Sequence, residues 1–328
     1  MPGRVLPAAV NVCLWATLWL TLVGYVITVA DAVQDLMDVR RAAIKILCSV
    51  LILPLCFLDM SKLSYVSSLS VFAVVNLFAV TSYTLAQEAH GDNRPHGICL
   101  WGLSDGLISM ASISFTSMII QMCALPMYEE LDHRTCAKFN RVTVASFVLL
   151  FLIYAAYAVI GYFTFGDSVH SNVLKDLPDG PWGRASRVIY LVVIMAAYPM
   201  FVYPMIASLK SSEALRRSGV SLTVICRGST VVIVMSAMLA ALSLDDLGVV
   251  NALVGALQCI VFVGLCPSLL GLHLIGGSAN GAPLPALRRR SSLIALVVFC
   301  SLIGVAGLVY TDNYAQDLGR SCRWATAA

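Results

Sequence analysis

Long apolar runs separated by short polar segments recur along the whole chain, and most are as long as a bilayer requires. A hydrocarbon core of about 30 Å needs roughly 20 predominantly apolar residues per helix. Nine runs predict membrane helices: Ala8–Ala30, Ala43–Leu58, Ser64–Ala86, Leu107–Met127, Val142–Thr164, Val188–Leu209, Ser221–Leu242, Val249–Ile275 and Ser292–Thr311. Ala43–Leu58 is short and carries Lys45, and Ser221–Leu242 carries Arg227. Both charges lie near a helix end, so each is expected to snorkel to the membrane surface. The first run exceeds the roughly 7–15 apolar residues of a signal peptide and has no clear small-residue cleavage site, so it reads as a retained helix.

Composition agrees with this pattern. Of 328 residues 59% are hydrophobic and 12% charged, against about 25% charged in soluble domains. So little charge cannot cover a water-soluble globule, and it excludes a disordered chain. A net charge of +3 is too small and dispersed for a nucleic-acid face. Its one basic run, Arg288-Arg289-Arg290, fits a cytoplasmic anchor beside a membrane helix. The chain reads as an all-α integral membrane protein. Most of its 11 cysteines lie in apolar runs, where the thiol behaves as a small hydrophobe. Cys99 and Cys322 fall in polar segments on the same predicted side, the one pair placed for a bridge.

Nine spans put the termini on opposite sides. Eleven Lys and Arg residues lie in the N-terminal set of polar segments and eight in the other, which favours a cytoplasmic N-terminus and an external C-terminus. Tags at both ends, probed on sealed cells, are expected to show only the C-terminal one accessible; two accessible tags, or none, would mean a miscounted span. The connections hold no soluble domain. Residues 87–106 and 165–187 read as loops, and Glu129–Arg141 as a short amphipathic helix on the cytoplasmic face.

Catalytic motifs are missing from the spans: there is no HExxH, GxSxG or paired-aspartate motif. Four of the five histidines lie in loops, and Asp245-Asp246 reads as a solvated helix boundary. A membrane enzyme is disfavoured. The spans do carry hydroxyls and helix disruptors. Five of the nine residues in Ser109–Ser117 are Ser or Thr, followed by Gln121 and Pro126. Val188–Leu209 contains Pro199 and Pro204 beside Tyr198 and Tyr203, and Val249–Ile275 contains Asn251, Gly255, Gly264 and Pro267. Transporters bind substrate near the midplane at such broken helices.

Several strings resemble the amino acid/auxin permease family of amino acid transporters. They are Ala124–Leu131 (ALPMYEEL), Gly161–Asp167 (GYFTFGD) with Asn172-Val-Leu174 and Leu177-Pro178, Leu51–Leu55 with Leu63–Ser68, and Val254-Gly-Ala256 with Cys266-Pro-Ser268. Order and spacing match over nearly the whole chain. The resemblance equates the nine spans with the family's third to eleventh helices. It implies an inverted-repeat bundle of five plus five plus one helices (APC/LeuT-like), N-terminally incomplete, with no counterpart of the broken, glycine-rich first helix. That reads as an N-terminally truncated form.

Carried over residue by residue, the resemblance marks Ser114, Phe115, Thr116 and Ser117 on the sixth-like helix as candidate substrate-binding residues. Gln121, where many members have histidine, and Tyr198 in the eighth-like helix join them. The function implied is secondary active amino acid transport by alternating access, in the plasma membrane or a vacuolar or vesicular membrane, with no cofactor. Sodium needs oxygen ligands, and the stretch where the sodium-coupled branch supplies threonines reads Ile194-Met-Ala-Ala-Tyr198. Proton coupling is therefore expected. The alternative is a transport-inactive membrane partner or sensor derived from such a transporter.

Overall fold

The computed structural model describes residues 5–34, 36, 39–58, 65–90, 99–102, 106–117, 128, 131–166, 169–170, 172–210, 221–276, 284–309 and 322–325. Lipid offers no hydrogen bonds, so a spanning backbone must satisfy itself, and the apolar runs fold as helices. In chain order these are α1 (Val5–Gln34), α2 (Arg41–Leu55), α3 (Tyr65–His90), α4 (Gly106–Ser117), α5 (Cys136–Phe165), α6 (Pro181–Lys210), α7 (Leu222–Ser243), α8 (Leu247–Leu257), α9 (Cys266–Gly276) and α10 (Leu284–Val309). Seven helical stretches among the described residues are long and apolar enough to cross a membrane, α8 and α9 together forming one of them. The 43–58 run folds as α2, whose 15 residues rise about 22 Å. The 107–127 run is described only through Ser117, so Gln121 lies outside the described residues.

Between α8 and α9 the helix widens into a π segment, Gln258–Leu265, where the Cys266 amide reaches back to Val261 O. Pro267 follows immediately. Without an N–H it cannot take the carbonyl four residues back, and its ring crowds that position. Widening the preceding turn relieves both problems, and such π turns are frequent at functional sites.

The chain divides into two units, described separately. The first comprises 1–13, 99–159 and 251–326. In it α10 lies along the π segment and α9, and α4 packs on α10 and on the π segment. A short antiparallel ribbon, β1 (Cys99–Gly102) with β2 (Cys322–Ala325), adds a small non-helical element to the all-α expectation. Its register sets Cys99 opposite Ala325 and Cys322 opposite Gly102. The two cysteines thus stand at opposite ends of the ribbon.

The segment expected to be an amphipathic helix is also different. Residues 131–135 form a turn with His133 at φ 50°, and Cys136–Arg141 is already the start of α5. Along α5 large apolar side chains such as Val148, Phe151 and Val159 remain exposed, as suits a helix surrounded by acyl chains.

The second unit comprises 14–98 and 160–250, with 327–328. There α3 packs on α6, and α2 and α6 both pack on α7. Its core gathers Val29 and Ala30 of α1, Ile44 and Cys48 of α2, and Ile194 of α6. Tyr25 meets the Phe201 ring edge-on at 5.3 Å.

Candidate functional site

In the first unit the hydroxyl-rich α4 shows two different faces. Ser112 is fully buried and its Oγ donates to Ile303 O of α10 at 3.3 Å. One turn on, Thr116 Oγ1 donates to Asn251 O of α8 at 3.2 Å. Glycine makes this approach feasible. A Cβ at Gly255 would overlap the Ser112 carbonyl oxygen and stand 2.7 Å from Thr116 Oγ1, and a Cβ at Gly307 would stand 2.7 Å from Ser112 Cβ. Small residues let membrane helices approach backbone to backbone.

On the other face Met110, Ser114 and Ser117 form an exposed stripe at i, i+4 and i+7. Ser114 Oγ donates to Met110 O at 2.8 Å and Ser117 Oγ to Ser114 O at 2.9 Å. Each hydroxyl thereby satisfies its donor within α4 and keeps its oxygen lone pairs free to accept. Phe115 is partly buried between the two faces. Of the candidates on this helix, Thr116 is an anchor to α8, while Ser114 and Ser117 share the free face. Gln258, in the π segment of the same unit, is buried with an Oε1 that has no partner among the described residues.

The second unit holds Tyr198, buried in α6 with its hydroxyl unpartnered among the described residues. It also holds a polar cluster. Asp31, 2% exposed, accepts from Arg41 Nη2 at 2.5 Å, Asn172 Nδ2 at 3.1 Å and Lys175 Nζ at 3.2 Å. Lys45 is equally buried. Rather than snorkelling, its Nζ caps the end of α7, donating to Ala241 O at 2.5 Å, Leu244 O at 3.2 Å and Asp245 Oδ1 at 2.8 Å. A cation there meets the orphan carbonyls and negative dipole of a helix C-terminus. Asp245 is surface-exposed yet not merely solvated: the Lys45 hydrogen bond, and then the Lys45, Arg41 and Lys175 charges, hold its carboxyl below the usual carboxylate range.

The loop that supplies Asn172 and Lys175 is built to present them. Gly166 closes α5 in the left-handed region at φ 62°, the common glycine cap. Asn172 Oδ1 accepts from the Leu174 amide at 3.2 Å and starts a 3-10 turn, Val173–Lys175. Arg187, 1% exposed, donates to Leu174 O at 3.0 Å and Leu177 O at 2.7 Å. The Pro178 carbonyl rests on Gly183, where a Cβ would overlap it. Asp176 accepts from the His170 amide at 2.9 Å and pairs with its ring.

Comparison with known proteins decides the family. A model of the transmembrane amino acid transporter protein family matches residues 1–311. The chain belongs to this family. As a member it is a multi-pass membrane protein. Amino acid transporter AVT1E of Arabidopsis thaliana is 24% identical over 305 residues, covering 84% of this chain and 53% of that protein. Amino acid transporter AVT6E of the same plant is 23% identical over 303 residues, covering 85% and 60%. Vacuolar amino acid transporter 7 of Saccharomyces cerevisiae is 24% identical over 190 residues, covering 56% and 39%. The chain spans about half the length of the curated relatives it matches.

Within this family member, the 172–178 part of the string that carried the resemblance is the loop tied to Asp31 and Arg187. Sequence reasoning passed over both residues. The available signal for Asp31 was a lone carboxylate in an apolar setting, Val29-Ala-Asp-Ala-Val33, since such a group needs a partner. Gln258, in Gly255-Ala-Leu-Gln-Cys-Ile-Val261, carried the same signal.

Proposed function

We propose that this chain is part of a secondary active amino acid transporter that works by alternating access and uses a proton gradient. The exposed Met110–Ser114–Ser117 face of α4 carries the reading. The helix is anchored through Ser112 and Thr116, so the remaining hydroxyls are held in place with acceptor capacity to spare. An α-ammonium group is the donor such oxygens suit, with backbone at helix breaks holding the carboxylate. Phe115 of the same helix, Gln121, which lies outside the described residues, and Tyr198 of the second unit are the further candidates of the sequence reading. The relatives named vacuolar amino acid transporters support the substrate class and a vacuolar-type membrane.

Proton coupling rests on the side chains of α6. Ile194 to Ala197 offer no oxygen beyond the backbone, and Pro199 frees only the Met195 carbonyl from the helical ladder. A sodium site built there would lack most of its ligands.

Uptake of labelled neutral amino acids into proteoliposomes that carry the whole transporter of which this chain is part, under imposed gradients, tests both claims. A pH gradient, acid on the substrate side, is expected to drive accumulation without sodium. Accumulation driven by sodium at equal pH, and indifferent to a pH gradient, would overturn the coupling. Ser114→Val with Ser117→Val is expected to raise KM about tenfold, the worth of one charge-assisted hydrogen bond, with little change in thermal midpoint. Substrate binding without flux under either gradient would favour the alternative, a transport-inactive sensor.

A further inference from the structure

Where the end of α2, the Pro199–Ile206 stretch of α6 and the first turns of α7 meet in the second unit, they enclose an open cavity of about 510 Å³. That is within the roughly 300–1,000 Å³ of small-molecule sites. Its inner wall is apolar: Val202 and Ile206 are both buried. At the α7 side it carries Arg227, with Thr223 and Tyr203 also on the lining. Arg227 is exposed and makes no ion pair or hydrogen bond among the described residues. The start of α7 adds to this charge. The first turn of α7 has no acidic residue and Ser221 makes no side-chain cap, so the leading amides keep their dipole uncompensated.

From this combination we infer that the cavity is a binding site for an anionic phospholipid, with Arg227 on the headgroup phosphate and the start of an acyl chain along Val202 and Ile206. A guanidinium matches a phosphate with two parallel donors. An apolar wall continuous with a membrane-spanning helix bundle suits a ligand that is charged at one end and hydrocarbon at the other. The sequence reading places this end of the bundle on the cytoplasmic side, where anionic lipids concentrate. Plain snorkelling of Arg227 explains an exposed charge near a helix end but requires no cavity beneath it. The site is independent of the transport proposal, because its test reads binding alone.

The test titrates the detergent-solubilised 328-residue chain with dioctanoyl phosphatidylinositol, dioctanoyl phosphatidylcholine and inorganic phosphate, following the thermal midpoint. The inositol lipid is expected to raise the midpoint saturably, and the other two to leave it unchanged. Arg227→Gln, and separately Val202→Trp, which fills the cavity and keeps the charge, are each expected to weaken the lipid response at least about tenfold. Arg290→Gln, an exposed cation on α10, is expected to leave it intact. An equal response in wild type and Arg227→Gln would overturn the site, as would an unchanged response in Val202→Trp. A midpoint shift with inorganic phosphate alone would make it a free-anion site and overturn the lipid assignment. If Arg227→Gln does not fold, Val202→Trp decides.

Discussion

Asp31→Ala is expected to lower the unfolding free energy by about 3 kcal/mol, the lower end of what breaking a buried ion pair costs. The carboxylate accepts from Arg41, Asn172 and Lys175, and is itself 2% exposed. Removing it leaves Arg41, Lys45 and Lys175 with Asp245 as the one remaining carboxylate of the cluster among the described residues. Arg41 and Lys175 are 24% and 31% exposed, so partial access to water keeps the loss from the upper end. Asp31→Asn retains an acceptor for Asn172 and should lose about half as much. Asp245→Asn should cost less again, because Lys45 keeps the Ala241 and Leu244 carbonyls. Denaturant or thermal unfolding in mild detergent reads these differences. A double-mutant cycle with Arg41→Ala should return a coupling of about 1–3 kcal/mol. An Asp31→Ala protein that unfolds with the wild type would show that the cluster contributes nothing.

The membrane-spanning helical architecture was legible because span length and apolarity are local, one-dimensional properties. What the pattern could not carry was partnership. Lys45 near a helix end looked like a snorkelling lysine, since the facing α7 terminus, some 200 residues further on, leaves no trace beside it. Asp31 fell just past Ala30, where the apolar count ended, although α1 continues to Gln34. For the hydroxyl run the sequence supplied density but not direction. Ser112 and Thr116 turn toward α10 and α8 while Ser114 and Ser117 do not, and only the positions of Gly255 and Gly307 explain which face is which. The tertiary partner of Ser112 lies in α10, 191 residues further on, beyond anything the local pattern shows. Cys99 and Cys322 show the same limit in register: placing two segments on one side does not say which residues stand opposite.

Gly255→Ala is expected to destabilise the protein by about 2–4 kcal/mol, an unusually large cost for one methyl group. Overpacking a well-packed core commonly costs about 1–3 kcal/mol, and flexible side chains absorb part of it. Here the obstacle is backbone. The new Cβ would overlap the Ser112 carbonyl oxygen and lie 2.6 Å from its carbon, so α4 as a whole must move off α8. Such a shift also weakens the Thr116–Asn251 bond and the Ser112–Ile303 bond, each worth about 0.5–1.5 kcal/mol. Working against this, alanine recovers about 1 kcal/mol of helix propensity. Two comparisons isolate the steric part. Gly228→Ala, in α7, meets nothing within 4 Å and should be neutral or stabilising by up to about 1 kcal/mol. Gly307→Ala meets the Ser112 side chain rather than its backbone. The hydroxyl can rotate at the cost of its bond to Ile303 O, whereas the Ser112 Cβ at 2.7 Å moves only with α4. The shift needed is less than the backbone overlap at Gly255 demands, so the loss should be smaller. The order expected in thermal unfolding is therefore Gly255→Ala lowest, Gly307→Ala next, and Gly228→Ala at or above wild type. A Gly255→Ala protein as stable as Gly228→Ala would mean that α4 does not rest on α8 at Ser112, and the anchored placement of Ser114 and Ser117 would go with it.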